Sequence, residues 1–162
     1  MFAKNNASEF LQRQHPAHPA PLERINQPVV LMVTVGLRVP HPLHSLDNPI
    51  FHAALLQAWK RAPEWQVGWY VIMPDHLHCF CTPGQPIRMA MVTWCRKWKS
   101  LTTAALTNPA WRWLPNCWDT QMRNREHYVE KLAYVQRNPV RKQLMTQSGQ
   151  WPYQGIVHEI RW

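Results

Sequence analysis

Two histidines separated by a single residue could bind a metal ion. His76-Leu77-His78 follows an apolar run, residues 65 to 73, and the turn residues Pro74-Asp75. Side chains alternate between the two faces of a β-strand, so both imidazoles would share one face and Leu77 would point into the core. Imidazole is the commonest protein ligand for metals. If such a metal served phosphoryl transfer, it would also bind phosphate oxygens, and we would then expect a third, oxygen-bearing protein ligand.

A tyrosine and an asparagine four residues apart could supply a nucleophile and that third ligand. On a helix, Tyr134 and Asn138 lie about 40° apart around the axis, whereas Tyr128 lies about 120° from Tyr134. If Asn138 contacts the metal, Tyr134 is therefore the better nucleophile. Free tyrosine has a pKa near 10, so a nearby cation must stabilise the phenolate. Spacing alone favours Asn138 as an N-cap before Pro139, and Tyr134 could simply be a packing residue.

The elements that must position these residues follow from hydrophobic periodicity. The sequence predicts strands over residues 29–35, 65–73, 76–82 and 111–114, and helices over 50–61, 87–106 and 125–137. This order predicts an α+β fold: a ferredoxin-like (split βαβ) antiparallel sheet covered by helices. Residues 1–27 are rich in proline and predict a flexible arm. Residues 28–162 predict a single domain, with an irregular tail after residue 153.

Positive charge is concentrated between the two motifs and on the second one. The chain has 18 lysines and arginines against 9 acidic residues, and residues 88–142 hold eleven of the former against three of the latter. Such a segment is typical of a protein that binds a polyanion. Aromatic residues among these cations could stack on unpaired bases. We expect two of five tryptophans to be exposed for this purpose: Trp94, Trp98, Trp111, Trp113 and Trp118.

The cysteine spacing and the lengths of the apolar runs argue against a zinc-binding protein and a membrane protein. Cys79, Cys81, Cys95 and Cys117 form no C-x-x-C pair, so a structural zinc site is not expected. Cys79 and Cys81 should be buried thiols that face away from the histidines. No run reaches the length of about eighteen apolar residues that would span a membrane, and no signal peptide is evident. The sequence therefore predicts a cytoplasmic, reduced protein without a membrane partner.

Several stretches together resemble a known family. They are Val71-Ile72-Met73-Pro74-Asp75-His76-Leu77-His78, Trp118-Asp119, Tyr134-Val135-Gln136-Arg137-Asn138-Pro139-Val140 and Trp151-Pro152-Tyr153. In this order they resemble the single-tyrosine HUH transposases, and within these the REP-associated tyrosine transposases. The likeness runs from about residue 29 to residue 153. Where family members often have glycine after Asn-Pro-Val, this chain has Arg141-Lys142-Gln143.

The resemblance implies a bacterial, nucleoid-associated enzyme that cleaves and rejoins single-stranded DNA. It implies that His76, His78 and Asn138 hold Mg²⁺ or Mn²⁺ and that Tyr134 forms a 5'-phosphotyrosine bond. The implied substrates are hairpins of REP-like palindromes, and the implied state is a monomer or homodimer. Eight basic residues are candidates for contacting phosphates: Arg96, Lys97, Lys99, Arg123, Arg125, Arg137, Arg141 and Lys142.

Two other functions remain open on the sequence. The first is a domesticated, catalytically silent protein that binds DNA or RNA hairpins. The second is a replication initiator or relaxase-like nickase, which the order of motifs disfavours because relaxases usually place the tyrosine before the histidines.

Overall fold

The computed structural model describes residues 18–38, 45–84, 89–107, 109–147 and 150–162. Residues 1–17 of the predicted arm lie outside the described residues, as do residues 87 and 88 of the helix predicted over 87–106. The strands are β1 (Leu31–Gly36), β2 (Trp65–Ile72), β3 (His76–Pro83), β4 (Trp118–Gln121) and β5 (Gln154–Ile156). The helices are α1 (Pro49–Lys60), α2 (Met91–Ala105), α3 (Arg125–Gln136) and α4 (Asn138–Arg141).

All five strands form one antiparallel sheet in the order β4-β1-β3-β2-β5. In the first four, β1 and β3 are neighbours at the centre, while β4 and β2 flank them. Helix α1 connects β1 to β2, and helix α2 connects β3 to β4. This is the split βαβ arrangement of a ferredoxin-like fold, and the prediction from the sequence is confirmed. Strand β5 extends the sheet beyond β2.

Each face of the sheet has its own hydrophobic cluster. Leu77, Cys79 and Cys81 point into the cluster that α1 and α2 cover. Phe80 points to the opposite face and packs with Val135 of α3. The predicted burial of the cysteines is confirmed. We call these the α1/α2 face and the α3 face.

Asparagine caps fix where two of the helices begin. The side chain of Asn48 accepts the Phe51 N–H at 2.8 Å ahead of α1. The side chain of Asn124 accepts the His127 N–H at 2.9 Å ahead of α3. Each cap satisfies a backbone donor that has no partner within the helix. The second cap fixes the start of the helix that carries Tyr134.

The prediction of a strand at residues 111–114 was wrong, as was the irregular tail. Trp113 forms a single bridge with Leu37, and the fourth strand is β4, which pairs with β1 over four residues. Strand β4 contains Asp119, Thr120 and Gln121, so its sequence lacks the apolar alternation that marks a strand. The ladder with β1 holds this edge strand in place. Three residues of the tail form β5.

The tryptophans expected on the DNA-binding surface are mostly core residues. Trp94 and Trp98 are completely buried on the α1/α2 face, and Trp111 is also buried. The Trp94 indole donates to the carbonyl of Ala62 at 2.8 Å. Trp113 and Trp118 are partly buried. Exposure for base stacking is therefore excluded for Trp94, Trp98 and Trp111, which are packed in the core.

Residues 18 to 27 lie along the edge strand β4. The Leu22 N–H donates to Gln121 Oε1 at 2.9 Å, and Gln121 Nε2 donates to the Leu22 carbonyl at 2.7 Å. The Arg24 guanidinium donates to the Arg123 carbonyl at 2.6 Å. These contacts cover polar groups at the edge of the sheet. The division into a flexible arm and a single domain stays a prediction.

Replacing Trp94 by alanine should lower the free energy of unfolding by about 3–5 kcal/mol, because it leaves a large cavity beneath α2. Urea unfolding followed by far-UV circular dichroism measures this. Val129→Ala is the control, because Val129 is 53% exposed on α3 and its truncation should cost less than about 0.5 kcal/mol. Equal losses in both variants would contradict the assigned core.

Candidate active site

His76 and His78 form a contacting pair on the α3 face of the central strand. Both are buried, and their rings pack edge to face with centroids 4.8 Å apart. In the ladder with β1, Thr34 lies opposite His78 and Gly36 lies opposite His76. Gly36 presents no side chain toward its partner, and a Cβ there would come within 3.2 Å of Leu114. Glycine at this position therefore allows the close approach of Leu114 to β1.

The Nδ1 atom of each histidine has a hydrogen-bond partner. His78 Nδ1 lies 2.8 Å from the Thr34 hydroxyl, and His76 Nδ1 lies 2.6 Å from the Asp75 carboxylate. Partners of this kind fix the ring orientation of metal-binding histidines. In both rings a ligand role would therefore fall to Nε2.

The surroundings favour a neutral imidazole at His78. Burial lowers its pKa well below the ordinary value of 6.5, and the charge of His76 adds to the effect. A neutral ring is the form that binds a metal. Burial acts to raise the pKa of Asp75, but the hydrogen bond from His76 and the charges of His76 and Lys142 lower it overall. Lys142 directly follows α4, so that end of α4 lies close enough to Asp75 for its charge to act there.

The structure overturns the interpretation of Asn138 as an N-cap. Asn138 is the first residue of α4, the cap position is Arg137, and no side chain makes a capping hydrogen bond there. The Asn138 carbonyl accepts the Lys142 N–H at 2.9 Å, as in a helix. Pro139 is tolerated because it occupies the first turn, where its missing N–H costs nothing. The Asn138 side chain is buried and is not used as a cap.

The two candidate tyrosines on α3 have different surroundings. Tyr134 is 52% exposed, and the Arg141 guanidinium lies 4.4 Å from its ring centroid. Tyr128 packs against Phe80 and Trp162 at centroid distances of 5.0 and 5.5 Å. Burial raises the pKa of Tyr128. The accessible phenol is Tyr134, and its role as nucleophile stays a prediction.

The three basic candidates on α2 lie on the other side of the sheet from the histidines. Lys99 is buried and donates to the Leu114 and Pro115 carbonyls at 2.9 and 3.3 Å, and its assignment to the phosphate-binding set stays a prediction. Lys97 forms an ion pair with Glu64, whose pKa this hydrogen bond lowers. Arg96 is exposed, but it stands on the helix that covers the α1/α2 face.

The other five basic candidates are exposed and belong to the segment that forms α3, α4 and their flanks. They are Arg123, Arg125, Arg137, Arg141 and Lys142. The cluster on the α3 face contains Val135, which places α3 on the same side of the sheet as the histidine pair. These five residues remain candidates for contacting phosphates.

Thr34 and Asp75 are site residues that sequence reasoning missed. Asp75 precedes His76 directly, but we assigned it only to a turn. Thr34 lies 44 residues from His78 in the chain, so its role depends on the register between β1 and β3. No local pattern could have identified it.

The sheet is ferredoxin-like and carries two histidines on one face of its central strand. A tyrosine stands on a helix packed against that face. The resemblance to single-tyrosine HUH transposases implies this architecture. Comparisons with known proteins point to one group within that class. The chain is 27% identical over 101 residues to the REP-associated tyrosine transposase of Escherichia coli (strain K12). The match covers 62% of this chain and about 60% of the relative's length.

A solved structure is also similar to this chain. It is described as a REP-associated tyrosine transposase bound to a REP hairpin, and it superposes with a TM-score of 0.64 at 24% identity. The match covers 84% of this chain and 82% of that one. No protein-family model matches the chain. The resemblance to REP-associated tyrosine transposases is confirmed, and so is the fold. In the part of the chain that the structure describes, no helix has the length and apolarity needed to cross a membrane.

The burial of neutral His78 should make the fold less stable in acid. The unfolded chain binds a proton at this residue below about pH 6.5 and the folded chain does not, so the free energy of unfolding should fall as pH drops below that value. The slope from one such residue is at most about 1.4 kcal/mol per pH unit. Urea unfolding between pH 7.5 and pH 5, at roughly half-unit steps, measures it.

His78→Gln should make that slope shallower, while His158→Gln on the exposed tail should leave it unchanged. His52 and His127 keep a residual slope in both variants, because burial lowers their pKa values too. An identical slope in wild type and His78→Gln would contradict a buried, neutral His78.

Proposed function

We propose that the chain is a metal-dependent single-stranded DNA endonuclease and strand transferase, which cleaves and rejoins hairpin DNA of REP-like repeats through a 5'-phosphotyrosine intermediate. The observation that carries the proposal is the buried histidine pair, whose Nδ1 atoms are tied to Thr34 and Asp75. Two oriented imidazoles on a sheet face are costly to bury for packing alone. A metal that two imidazoles hold accounts for them.

The donor set fits Mg²⁺ or Mn²⁺. His76 and His78 would supply Nε2 atoms, and Asn138 would supply an amide oxygen from a buried side chain that does not cap a helix. When bound, such a metal polarises the scissile phosphate and offsets its negative charge. Thr34 and Asp75 act as positioning residues, because they set the orientation of the two rings.

Tyr134 is the proposed nucleophile. Its phenolic oxygen attacks the phosphorus, an O–P bond forms to the 5' side of the break, and the 3' oxygen leaves and takes up a proton as a hydroxyl. One phosphoester bond replaces another, so attack by the 3'-hydroxyl reverses the step and joins strands without an external energy source. The Arg141 guanidinium lies 4.4 Å from the ring centroid and can bind phosphate beside the phenol.

Single-stranded or hairpin DNA is the proposed partner. Five exposed cations around α3 and α4 provide phosphate contacts on the side of the sheet where the histidines lie: Arg123, Arg125, Arg137, Arg141 and Lys142. A relative with this fold is described as bound to a REP hairpin, which supports the same class of ligand here. Backbone contacts of this kind position DNA and do not by themselves read its sequence.

Incubation with labelled hairpin DNA and Mn²⁺ should yield a covalent adduct that survives denaturation, and Tyr134→Phe should abolish it. Tyr128→Phe is the matched control, because it removes a hydroxyl from the same helix and leaves the exposed phenol intact. Denaturing electrophoresis measures the amount of covalent adduct in the wild type and in both variants.

Binding of the hairpin without any adduct, on any hairpin or single strand, would overturn the catalytic proposal and favour the silent hairpin-binding protein. Loss of the adduct in Tyr128→Phe with retention in Tyr134→Phe would reassign the nucleophile.

Thr34→Val should raise the Mn²⁺ concentration needed for half-maximal adduct formation by about 10–100-fold, because His78 loses the partner that orients it. Saturating Mn²⁺ should restore the adduct. Thr102→Val is the control: it also removes a buried hydroxyl bond, here 2.8 Å to the Trp98 carbonyl on α2. A merely structural role for Thr34 would lower the yield at all Mn²⁺ concentrations alike.

A further inference from the structure

Three side chains of metal-binding types meet at the edge of the sheet, apart from the histidine pair. They are His18, Cys117 and Asp119, and their ligand atoms all lie within 4.8 Å of one another. Asp119 lies opposite Val33 in the ladder between β4 and β1. Val33 belongs to the cluster on the α1/α2 face, so this group is on the other side of the sheet from His78.

The protein holds two of the three side chains firmly. Cys117 is buried in the hydrophobic cluster that α1 and α2 cover. The Lys99 ammonium fixes the loop before Cys117 through bonds of 2.9 and 3.3 Å to two carbonyls. Asp119 stands on β4 with a side chain only 6% exposed. A thiol and a carboxylate are therefore presented together from a rigid part of the fold.

The third side chain comes from the segment that lies along β4. The His18 side chain is 22% exposed, and its Nδ1 hydrogen-bonds to Asp119 Oδ1. The sequence separates His18 from Asp119 by 101 residues, so no spacing motif signals the group. This explains why the absence of a C-x-x-C pair argued against zinc at the level of sequence.

The separations are close to those of a zinc site. Tetrahedral zinc with bonds of about 2.0–2.3 Å holds its ligand atoms roughly 3.3–3.8 Å apart. Separations of up to 4.8 Å would contract by about 1 Å, and the hydrogen-bonded His18 and Asp119 would move apart to the zinc spacing. The His18 side chain is partly exposed and can rotate to adjust its own distances to the other two ligand atoms.

A cavity beside the group could hold a further ligand. Its volume is about 270 Å³, and it is lined by His18, Pro21, Leu31, Trp65, Met91 and Asp119. Zinc with three protein ligands keeps a fourth position for water. The cavity offers space for that water next to His18 and Asp119.

We infer that His18, Cys117 and Asp119 form a second metal site, selective for a zinc-class cation, which fastens residues 18–27 to the edge strand β4. A sulfur and an imidazole ligand favour Zn²⁺ over Mg²⁺, which takes oxygen ligands. The site does not depend on the proposed strand transfer. Its cation differs in class from the one proposed for the histidine pair.

Co²⁺ titrated into the full chain tests the site, because a cobalt–thiolate bond produces a charge-transfer absorption. A His76→Gln/His78→Gln background removes the histidine pair, so the result is independent of the strand-transferase proposal. We expect one equivalent of Co²⁺ to produce the band and Zn²⁺ to displace it. Mg²⁺ should not displace it.

Cys117→Ser should abolish the band, and Cys79→Ser, which alters another buried thiol on the same face, should retain it. His18→Gln should weaken Co²⁺ binding at least 10-fold, a cost comparable to losing an outer-shell partner of a ligand. His18 is partly exposed, so this variant keeps the test valid if Cys117→Ser does not fold. His158→Gln is its control.

Hydrogen exchange gives a second measurement. Zn²⁺ should slow exchange of the Leu22 amide, which bonds to Gln121 of β4, in the wild type and not in His18→Gln. Absence of a thiolate band, persistence of the band in Cys117→Ser, or equal affinity in His18→Gln would each overturn the inference.

Discussion

The register of β3 against β1 is the constraint on which both the core and the candidate site depend. It sets Thr34 beside His78 and Gly36 beside His76, and it sends the cysteines of β3 to the opposite face. Because strand side chains alternate, a slip of one residue would drive both imidazoles into the apolar cluster beneath α1 and α2. Burial of two unpaired imidazoles there would be costly, so the core itself enforces the geometry of the site.

The two faces of the sheet hold their helices very differently. Helix α2 buries six side chains, three of which are Trp94, Cys95 and Trp98. Every residue of α3 is described, and among them Val135 alone is buried. A helix with so few buried contacts can open at a lower free energy than the rest of the fold. Tyr134 therefore stands on a helix with few buried side chains, packed over the central strand, an arrangement that would give the proposed DNA partner access to the phenol.

Periodicity predicted the elements whose side chains are apolar and failed where neighbouring strands decide the structure. The strand of residues 29–35 and the hairpin of β2 and β3 were recognisable because burial on both faces selects apolar, often β-branched residues. Strand β4 was missed because Asp119 and Gln121 give it a polar sequence, and its pairing with β1 overrides that preference. Thr34 and the group around Asp119 could not be found, since each is assembled across long stretches of chain.

Net charge overstates the positive surface available to the proposed DNA partner, and the reason is structural. The Lys99 ammonium donates hydrogen bonds to two backbone carbonyls, and Lys97 forms an ion pair with Glu64. In the proposed complex with DNA, a cation that already has a protein partner would release fewer counterions and so add less to the salt-dependent part of the affinity. Arg96 still contributes to the long-range field, but it stands across the sheet from the histidines. The field that matters for the site is therefore set by the exposed cations around α3 and α4, where Arg141 also contacts the ring of Tyr134.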